Sequence, residues 1–446
     1  ALWMDPGLGK TSVSLTLIRL AKMLGLADSF LVVSTPRIIS QTWPEEVAKW
    51  DQFKELTYTV IEGTPKKRLQ RVQEETDIHL LSVDNLNWYY KEREEYGSGF
   101  YPEALIVDET SKFRNWTSKR TKALRKIIYQ KQTKTLPEIH HFKYVIGLTG
   151  TPAANSLEHL FPQVWMLDRG ESLGVSNISQ YRNKWFYRGG YQGHNWIPKS
   201  HAQEEIQRLS APLCFRLDGE EELDLPEFLV NDIYVELEEK EMKAYRKLHR
   251  DMILELEESP IVAKNAGSKY NLCRQYANGF TYLEGDNNFL PIHLEKLRAL
   301  SDLVGELQGK PLLVFYQYKA DAQQIVNYFP QATTVDGSTS SAEFTSILED
   351  WNEGKIPLLA CQCQAVSHGL NMQKGGCRDI CWFGLTNDLD VYLQANKRVH
   401  RQGVSGSVRC HRILTRGTVD EAIAKSLENK DSAQRSLLDY VKEYQG

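Results

Sequence analysis

The sequence predicts an α/β protein of two parallel-sheet lobes with helical insertions between them. Short apolar runs alternate with segments of helical period through the first half of the chain, and the same alternation returns near Pro311. The first of these units opens on a glycine turn, Asp5-Pro6-Gly7-Leu8-Gly9-Lys10-Thr11, set between an apolar run and an amphipathic segment. Continuous apolar strands separated by helices belong in a parallel sheet covered on both faces. Ligands of such sheets bind beyond the carboxyl ends of the strands.

Ala1–Met4 is the first apolar run, and Val13, Leu17, Leu20, Ala21 and Leu24 give the following helix its period, closed by Gly25. Between them, Gly7 and Gly9 let backbone N–H groups converge on a phosphate, and the helix N-terminus adds a positive dipole end. Lys10 is then placed to reach the β- and γ-phosphates, and the Thr11 hydroxyl to hold Mg²⁺. The strict pattern asks for glycine six positions before the lysine, where Met4 stands. A glycine-rich cap of an ordinary helix is the plainer alternative.

The next strands are expected at Leu31–Val33, Ile78–Val83, Ala104–Val107 and Tyr144–Leu148. Polar residues follow three of them: Thr35-Pro36, Asp108-Glu109 and Thr149-Gly150-Thr151-Pro152. These loops should converge on the phosphate loop, with Asp108 holding Mg²⁺ and Glu109 polarising an attacking water. Directly afterwards come Lys112, Arg114, Lys119, Arg120, Lys122, Arg125, Lys126, Lys131 and Lys134, with no acidic residue between Glu109 and Glu138. In a chain of net charge −4 this is a local phosphate-binding surface or a solvated basic face.

Tyr181 to Tyr191, containing Lys184 and Trp185, mixes cations, aromatics and glycines. Such a mixture stacks bases or makes the small core of a helical insertion. Glu236 to Glu258 is charged with helical period. The second unit offers strands at Leu312–Tyr316, Leu358–Cys361, Ile380–Phe383 and Val408–Leu414, and no Gly-Lys-Thr. It carries instead Gln394 to Gly403 on a predicted helix, where Arg398 and Arg401, three apart, share a face and suit arginine fingers supplied to a nucleotide. The expected boundaries are 1–164 for the first lobe, 165–228 for an inserted helical and aromatic-basic module, 229–295 for a helical connector and 296–446 for the second lobe.

At 446 residues and 41% hydrophobic the chain can bury large cores, and its acidic balance excludes a protein that coats nucleic acid over its whole surface. Seven scattered cysteines favour a reducing compartment. Cys361, Cys363, Cys377 and Cys381 lie in apolar runs and read as core residues rather than zinc ligands. No long apolar run or signal peptide is present, so a soluble, cytoplasmic protein without membrane contact is expected. Ala1 is not a start methionine, and an upstream piece is expected to be missing.

These motifs, in this order, resemble the Swi/Snf-like branch of the superfamily 2 helicases and DNA translocases. Asp5–Thr11 is similar to motif I, which in that family also lacks the early glycine. Ser34-Thr35-Pro36 with Trp43 and Trp50 resembles motif Ia. Asp108-Glu109-Thr110-Ser111 followed by Lys112-Phe113-Arg114-Asn115 resembles the DExx box, and Gly147–Pro152 resembles motif III. Phe215-Arg216 and Leu225-Pro226 look like the connector between lobes. Ser367–Met372 is similar to motif V, Gln394–Gln402 to motif VI, and Gly417–Glu421 with Lys430 to the helix that braces the second lobe.

The resemblance implies two RecA-like lobes hydrolysing ATP with Mg²⁺, and DNA (duplex, fork or four-way junction) as partner. Lys10, Asp108, Glu109, Arg398 and Arg401 would be catalytic; Gly7, Gly9, Lys10, Thr11 and Gln394 would contact nucleotide; Thr11 and Asp108 would hold the metal. Thr35, Lys112, Arg114, Asn115, Thr149, Thr151, Gly369 and Asn371 fall on the DNA-binding or coupling side, to which the residues themselves add Lys184 and Trp185. The economy of the chain is most similar to compact phage branch-migration helicases, and displacement of proteins from duplex or service in a restriction complex are the alternative tasks. Ser111 departs from the family, which usually has His or Gln there, and no adenine-reading Gln is found ahead of Asp5. A GTPase is disfavoured because Asp108 is followed three positions on by Ser111, not glycine, and Asn429-Lys430 has Asp431 and Ser432 out of register for guanine. A DNA-binding module without turnover is disfavoured by the intact Lys10, Asp108, Glu109, Arg398 and Arg401.

Overall fold

The computed structural model describes residues 1–94, 101–130, 139–189, 195–258, 262–283, 288–366 and 372–445. The chain divides into two compact units, Ala1–Leu223 with Ser432–Gly446, and Asp224–Asp431. Among the described residues no helix is long and apolar enough to cross a membrane.

The first unit is built on a sheet whose strand order is Phe215–Leu217, Leu2–Met4, Tyr144–Thr149, Ala104–Asp108, Phe30–Ser34, Ile78–Ser82, Tyr58–Ile61, every neighbouring pair parallel. Successive side chains alternate between its faces. Leu31, Val33, Leu105 and Val107 pack with Leu124 and Ile127 on one side. Phe30, Val32, Ala104 and Ile106 meet Leu15 and Ile18 of the helix Lys10–Met23 on the other. Two covered faces explain why these strands read as unbroken apolar runs.

The helices Leu160–Asp168, Ile178–Trp185 and Ala202–Ser210 share a core with Trp3 of the first strand. Residues expected as a separate insertion therefore fold into the first unit, up to Leu223. Phe215–Leu217, expected in the connector, adds an edge strand in the register Leu2↔Phe215, Trp3↔Arg216, Met4↔Leu217. Three residues centred on an arginine carry no strand period, which is why the sequence does not announce it.

The second unit's sheet runs Phe228–Val235, Val408–Thr415, Asp379–Trp382, Leu312–Tyr316, Leu358–Gln362, Thr333–Val335, again with parallel neighbours. The expected helical connector thus begins with a strand. Asn231-Asp232 interrupts its apolar pattern, but Asp232 stands opposite Arg412 in the ladder and accepts from its Nε and Nη2 at 2.5 and 2.7 Å. The polar residue that hides the strand in the sequence is paired across the sheet. The helices Glu239–Glu258 and Val262–Ala277 follow. The C-terminal helix Val419–Gln445, expected to brace the second lobe, belongs to that unit only to Asp431; further on, Leu438 is buried in the core around Trp3.

A buried ionic chain ties this second unit together. Lys296 Nζ lies 2.7 Å from Asp420 Oδ2 and donates to Asn278 Oδ1 at 2.8 Å and the Phe383 carbonyl at 3.1 Å. Asn278 Nδ2 donates to Asp321 at 3.0 Å, and Asp321 also accepts from the Gln317 and Tyr318 amides at 3.1 and 2.9 Å. Five segments distant in sequence are thereby held by side chains that water does not reach. All seven cysteines are buried with free thiols.

Candidate active site

The carboxyl edge of the first sheet carries the site. Leu2–Met4 feeds the phosphate loop, in which Gly7 (φ 97°) and Gly9 (φ 73°) adopt left-handed backbone before the helix starts at Lys10. Side chains rarely tolerate that region, so these glycines are what lets the loop curl over the helix mouth. Lys10 Nζ donates to the Met4 carbonyl at 3.0 Å, across the loop's entrance, and Thr11 stands half-buried at the second helical position. A Cβ on Gly150 would lie 3.1 Å from the Met4 carbonyl oxygen and 3.2 Å from Pro6 Cδ. Glycine is therefore needed where the loop after Tyr144–Thr149 touches the phosphate loop.

The phosphate loop is anchored by a buried ion pair. Asp5 Oδ2 accepts from Arg216 Nη2 at 3.0 Å and from the Gly219 amide at 3.1 Å, while Arg216 Nη1 donates to the Trp3 and Leu217 carbonyls at 3.3 and 2.9 Å. The edge strand Phe215–Leu217 is thus the clamp of the loop.

Asp108 ends the strand Ala104–Asp108, and Glu109 follows it. Asp108 is buried, and its Oδ2 accepts from Trp43 Nε1 at 3.1 Å. Burial pushes its carboxyl up to about 6; the Glu109 charge adds to this, while the Trp43 hydrogen bond and the Lys10 ammonium oppose it. The Lys10 ammonium is thus near enough to act on the Asp108 carboxyl. Glu109 has φ 70°, a left-handed conformation that costs a non-glycine residue on the order of 1–3 kcal/mol. Its Oε1 accepts from Ser111 Oγ at 2.8 Å and from Thr149 Oγ1 at 2.9 Å, and Thr149 Oγ1 in turn accepts from the Thr151 amide at 3.1 Å. Gln163 locks both loops: its Oε1 accepts from Thr110 Oγ1 at 2.6 Å and its Nε2 donates to the Pro152 and His159 carbonyls.

Lys10, Thr11, Asp108, Glu109, Thr149 and Thr151 are therefore brought together as expected. Thr149 is 0% exposed, and its hydroxyl is spent on Glu109. Asn115 is exposed, its Oδ1 accepting from the Thr117 amide and hydroxyl, while Lys112, Arg114 and Thr35 are half-buried. Trp185 is a correction: it is 0% exposed, inside the core with Tyr181 and Phe186, its Nε1 bonded to Glu205. Lys184 lies over its ring, 4.2 Å from the centroid, with Glu205 at 3.9 Å. Alternation within the short helix and the strand after it turns this part of the aromatic-basic stretch inward, which composition alone does not register. Gly369 and Asn371, with Lys131 and Lys134, lie outside the described residues.

In the second unit the helix ends at Asn396, so Arg398 and Arg401 sit in the turn beyond it and not on one helical face. The buried Asn396 accepts from Trp382 Nε1 at 2.9 Å, and Arg398 Nε folds back to cap the Gln394 carbonyl at 2.9 Å. Gln394 is buried, its Nε2 donating to Asp390 at 2.8 Å. Sequence reasoning misses Arg216, Gln163, Trp43 as the Asp108 donor, and Ser111 as a holder of Glu109. An acid in the phosphate loop between two apolar neighbours is the one signal that asks for a buried cation such as Arg216.

Asp108 yields a prediction of opposed signs. Its carboxyl is harder to ionise folded than unfolded, so it withholds stability increasingly as pH rises from about 4 through about 6 and withholds none below that window. Asp108→Asn is expected to raise the unfolding free energy at pH 7 by up to about 3 kcal/mol, with the gain gone at pH 3.5, while turnover is lost. Urea unfolding at the two pH values and a phosphate-release assay check both halves.

The chain matches the SNF2-related domain over residues 2–278 and the Helicase conserved C-terminal domain over residues 295–403. It is 31% identical over 455 residues to putative protein p41 of Acyrthosiphon pisum secondary endosymbiont phage 1, covering 99% of this chain and 94% of that one. It is 22% identical over 462 residues to a putative ATP-dependent helicase/translocase of Bacillus subtilis, covering 97% of this chain and 46% of that protein. The chain therefore spans nearly all of the phage protein and less than half of the bacterial one. Among solved structures, a SWI2/SNF2 ATPase core of Sulfolobus solfataricus in complex with dsDNA aligns with TM-score 0.43 and 20% identity, covering 99% of this chain and 90% of that chain.

Proposed function

Because the chain belongs to the SNF2-related family of helicase-type ATPases, we propose that it is a DNA-stimulated ATPase that moves on duplex DNA and remodels forks or four-way junctions. The observation that carries the reading is the relay Thr151–Thr149–Glu109–Ser111 beside Lys10 and Asp108. Lys10 and the amides of the Gly7–Gly9 loop bind the phosphates. Glu109, aimed by two hydroxyls, takes the proton of the attacking water. Trp43 orients Asp108, and Thr11 with Asp108 would hold Mg²⁺, a fit supported by a buried carboxylate whose ionised form wants a cation. Mg²⁺, when bound, neutralises charge on the phosphates. Arg398 and Arg401 of the second unit are the arginines that would stabilise transition-state charge. Loop movement at Thr149 and Thr151 changes the aim of Glu109, so DNA held by neighbouring loops can gate hydrolysis.

The branched-DNA assignment draws on the hairpin Phe186–Gly189 and Asn195–Pro198. Tyr187 and Arg188 are exposed on it, and Trp196 carries the Arg182 and Arg188 guanidiniums at 5.3 and 4.6 Å from its ring. Substituting Tyr187 and Arg188 with Ala is expected to weaken fork and four-way-junction binding about tenfold while duplex binding changes by less than about threefold. Gel-shift titrations check it. Equal losses on all substrates would leave a duplex translocase that displaces proteins.

A further inference from the structure

The first unit holds a pocket of about 790 Å³ lined by other residues than those above, within the roughly 300–1,000 Å³ of small-ligand sites. Its walls are the rings of Trp116, Tyr129 and Trp165 with the guanidiniums of Arg125 and Arg169. The floor is a fixed turn. Asp168 accepts from the Gly170 and Ser172 amides, both at 2.8 Å, and a Cβ on Gly170 would lie 2.0 Å from the Val175 carbonyl oxygen. Trp165 Nε1 donates to the Ser176 carbonyl at 3.1 Å and its ring meets Trp116 edge-on at 5.5 Å, so the aromatic wall is locked.

Arg125 is the unusual group. Its Cζ lies 3.6 Å from the Trp116 ring centroid, stacked against the indole. Its Nε is buried without a hydrogen-bond partner, and among the described residues no carboxylate pairs with it. The half-buried guanidinium, with no described carboxylate beside it, suits an anion. A guanidinium plane backed by a ring is also a surface on which a nucleobase stacks. The same helix, Lys119–Ile128, exposes Lys119, Arg120, Lys122 and Lys126, a track for a phosphate backbone, and Trp116 directly follows the exposed Asn115. An acidic peptide would use the cations but leave three rings without flat partners.

We propose that this pocket binds one unpaired nucleotide of a DNA strand, the base stacking on the Trp116–Arg125 pair and the phosphate meeting Arg125. The assignment deepens the DNA-motor reading above and rests on it for its substrate. Asp168 is occupied by its two amides, so the exposed Glu171 is the remaining carboxylate at the rim and opposes the phosphate.

The test titrates the full chain against a short fluorescein-labelled oligo(dT), with thymidine monophosphate as competitor. Arg125→Gln is expected to weaken oligonucleotide binding about tenfold, the scale of one lost stacked base, and Glu171→Gln to tighten it about twofold. Thymidine monophosphate should compete in the millimolar range against the wild type; competition as tight as the oligonucleotide would mean a free mononucleotide site and overturn the strand assignment. If Arg125→Gln does not fold, the exposed Glu171→Gln still decides. Both variants binding within experimental error of wild type would overturn the proposal, even where duplex DNA stimulates ATP turnover. Absence of that stimulation in the wild type, with the two variants shifting as expected, would instead remove the motor reading and leave the pocket.

Discussion

Glu109→Gln is expected to cut DNA-stimulated phosphate release by about 10²–10⁴-fold, the range for removal of a general base, while nucleotide binding persists. The structure gives the reason in detail. Glu109 is held in left-handed backbone at the end of Ala104–Asp108, and its Oε1 is fixed by two hydroxyls, Ser111 and Thr149. Glutamine can keep one oxygen in that cradle but has no carboxylate to accept a proton. Ser111→Ala and Thr149→Val remove the aim without the charge, so each should lower kcat by about tenfold and leave nucleotide affinity near wild type. Fluorescent-nucleotide titration beside steady-state turnover separates the two effects; full activity in Glu109→Gln would remove this residue from the chemistry.

Lys296→Ala is expected to destabilise the second unit by about 3–5 kcal/mol. Its ammonium is 0% exposed and meets Asp420, Asn278 and the Phe383 carbonyl. Deleting it strands a buried carboxylate and an amide oxygen, and the penalty of an unpaired buried charge exceeds the net worth of the pair. Lys296→Met with Asp420→Asn removes both charges and should recover a large part of the loss. Urea unfolding followed by far-ultraviolet circular dichroism checks it, and a double variant no better than Lys296→Ala would show that the pairing is not what holds Asp420.

The fold was legible wherever burial on both sheet faces forces continuous apolar strands. Phe30–Ser34, Ala104–Asp108 and Leu312–Tyr316 stand within a residue of their expected places. It was illegible where a polar residue has its partner far away in sequence. Asp232 hides a strand because Arg412 lies 180 positions on, and Arg216 hides another because Asp5 lies 211 positions back. The phosphate loop and Asp108-Glu109 were readable because glycine conformation and strand-end acids are local signals. Ser111, Gln163 and Trp43 were not, since their role is to hold other side chains. Trp185 shows a different limit: an aromatic among cations was open to two readings, base-stacking surface or small core, and the packing of Tyr181, Trp185 and Phe186 makes it core.

The central claim is that the loops meeting at Lys10, Asp108 and Glu109 form an ATPase answering to DNA. The most direct measurement is the rate of phosphate release from ATP by the full chain, with and without linear duplex DNA, for wild type and Lys10→Ala. Turnover that rises with duplex and vanishes in Lys10→Ala is the predicted result. A rate indifferent to duplex, or one that survives Lys10→Ala, would contradict it.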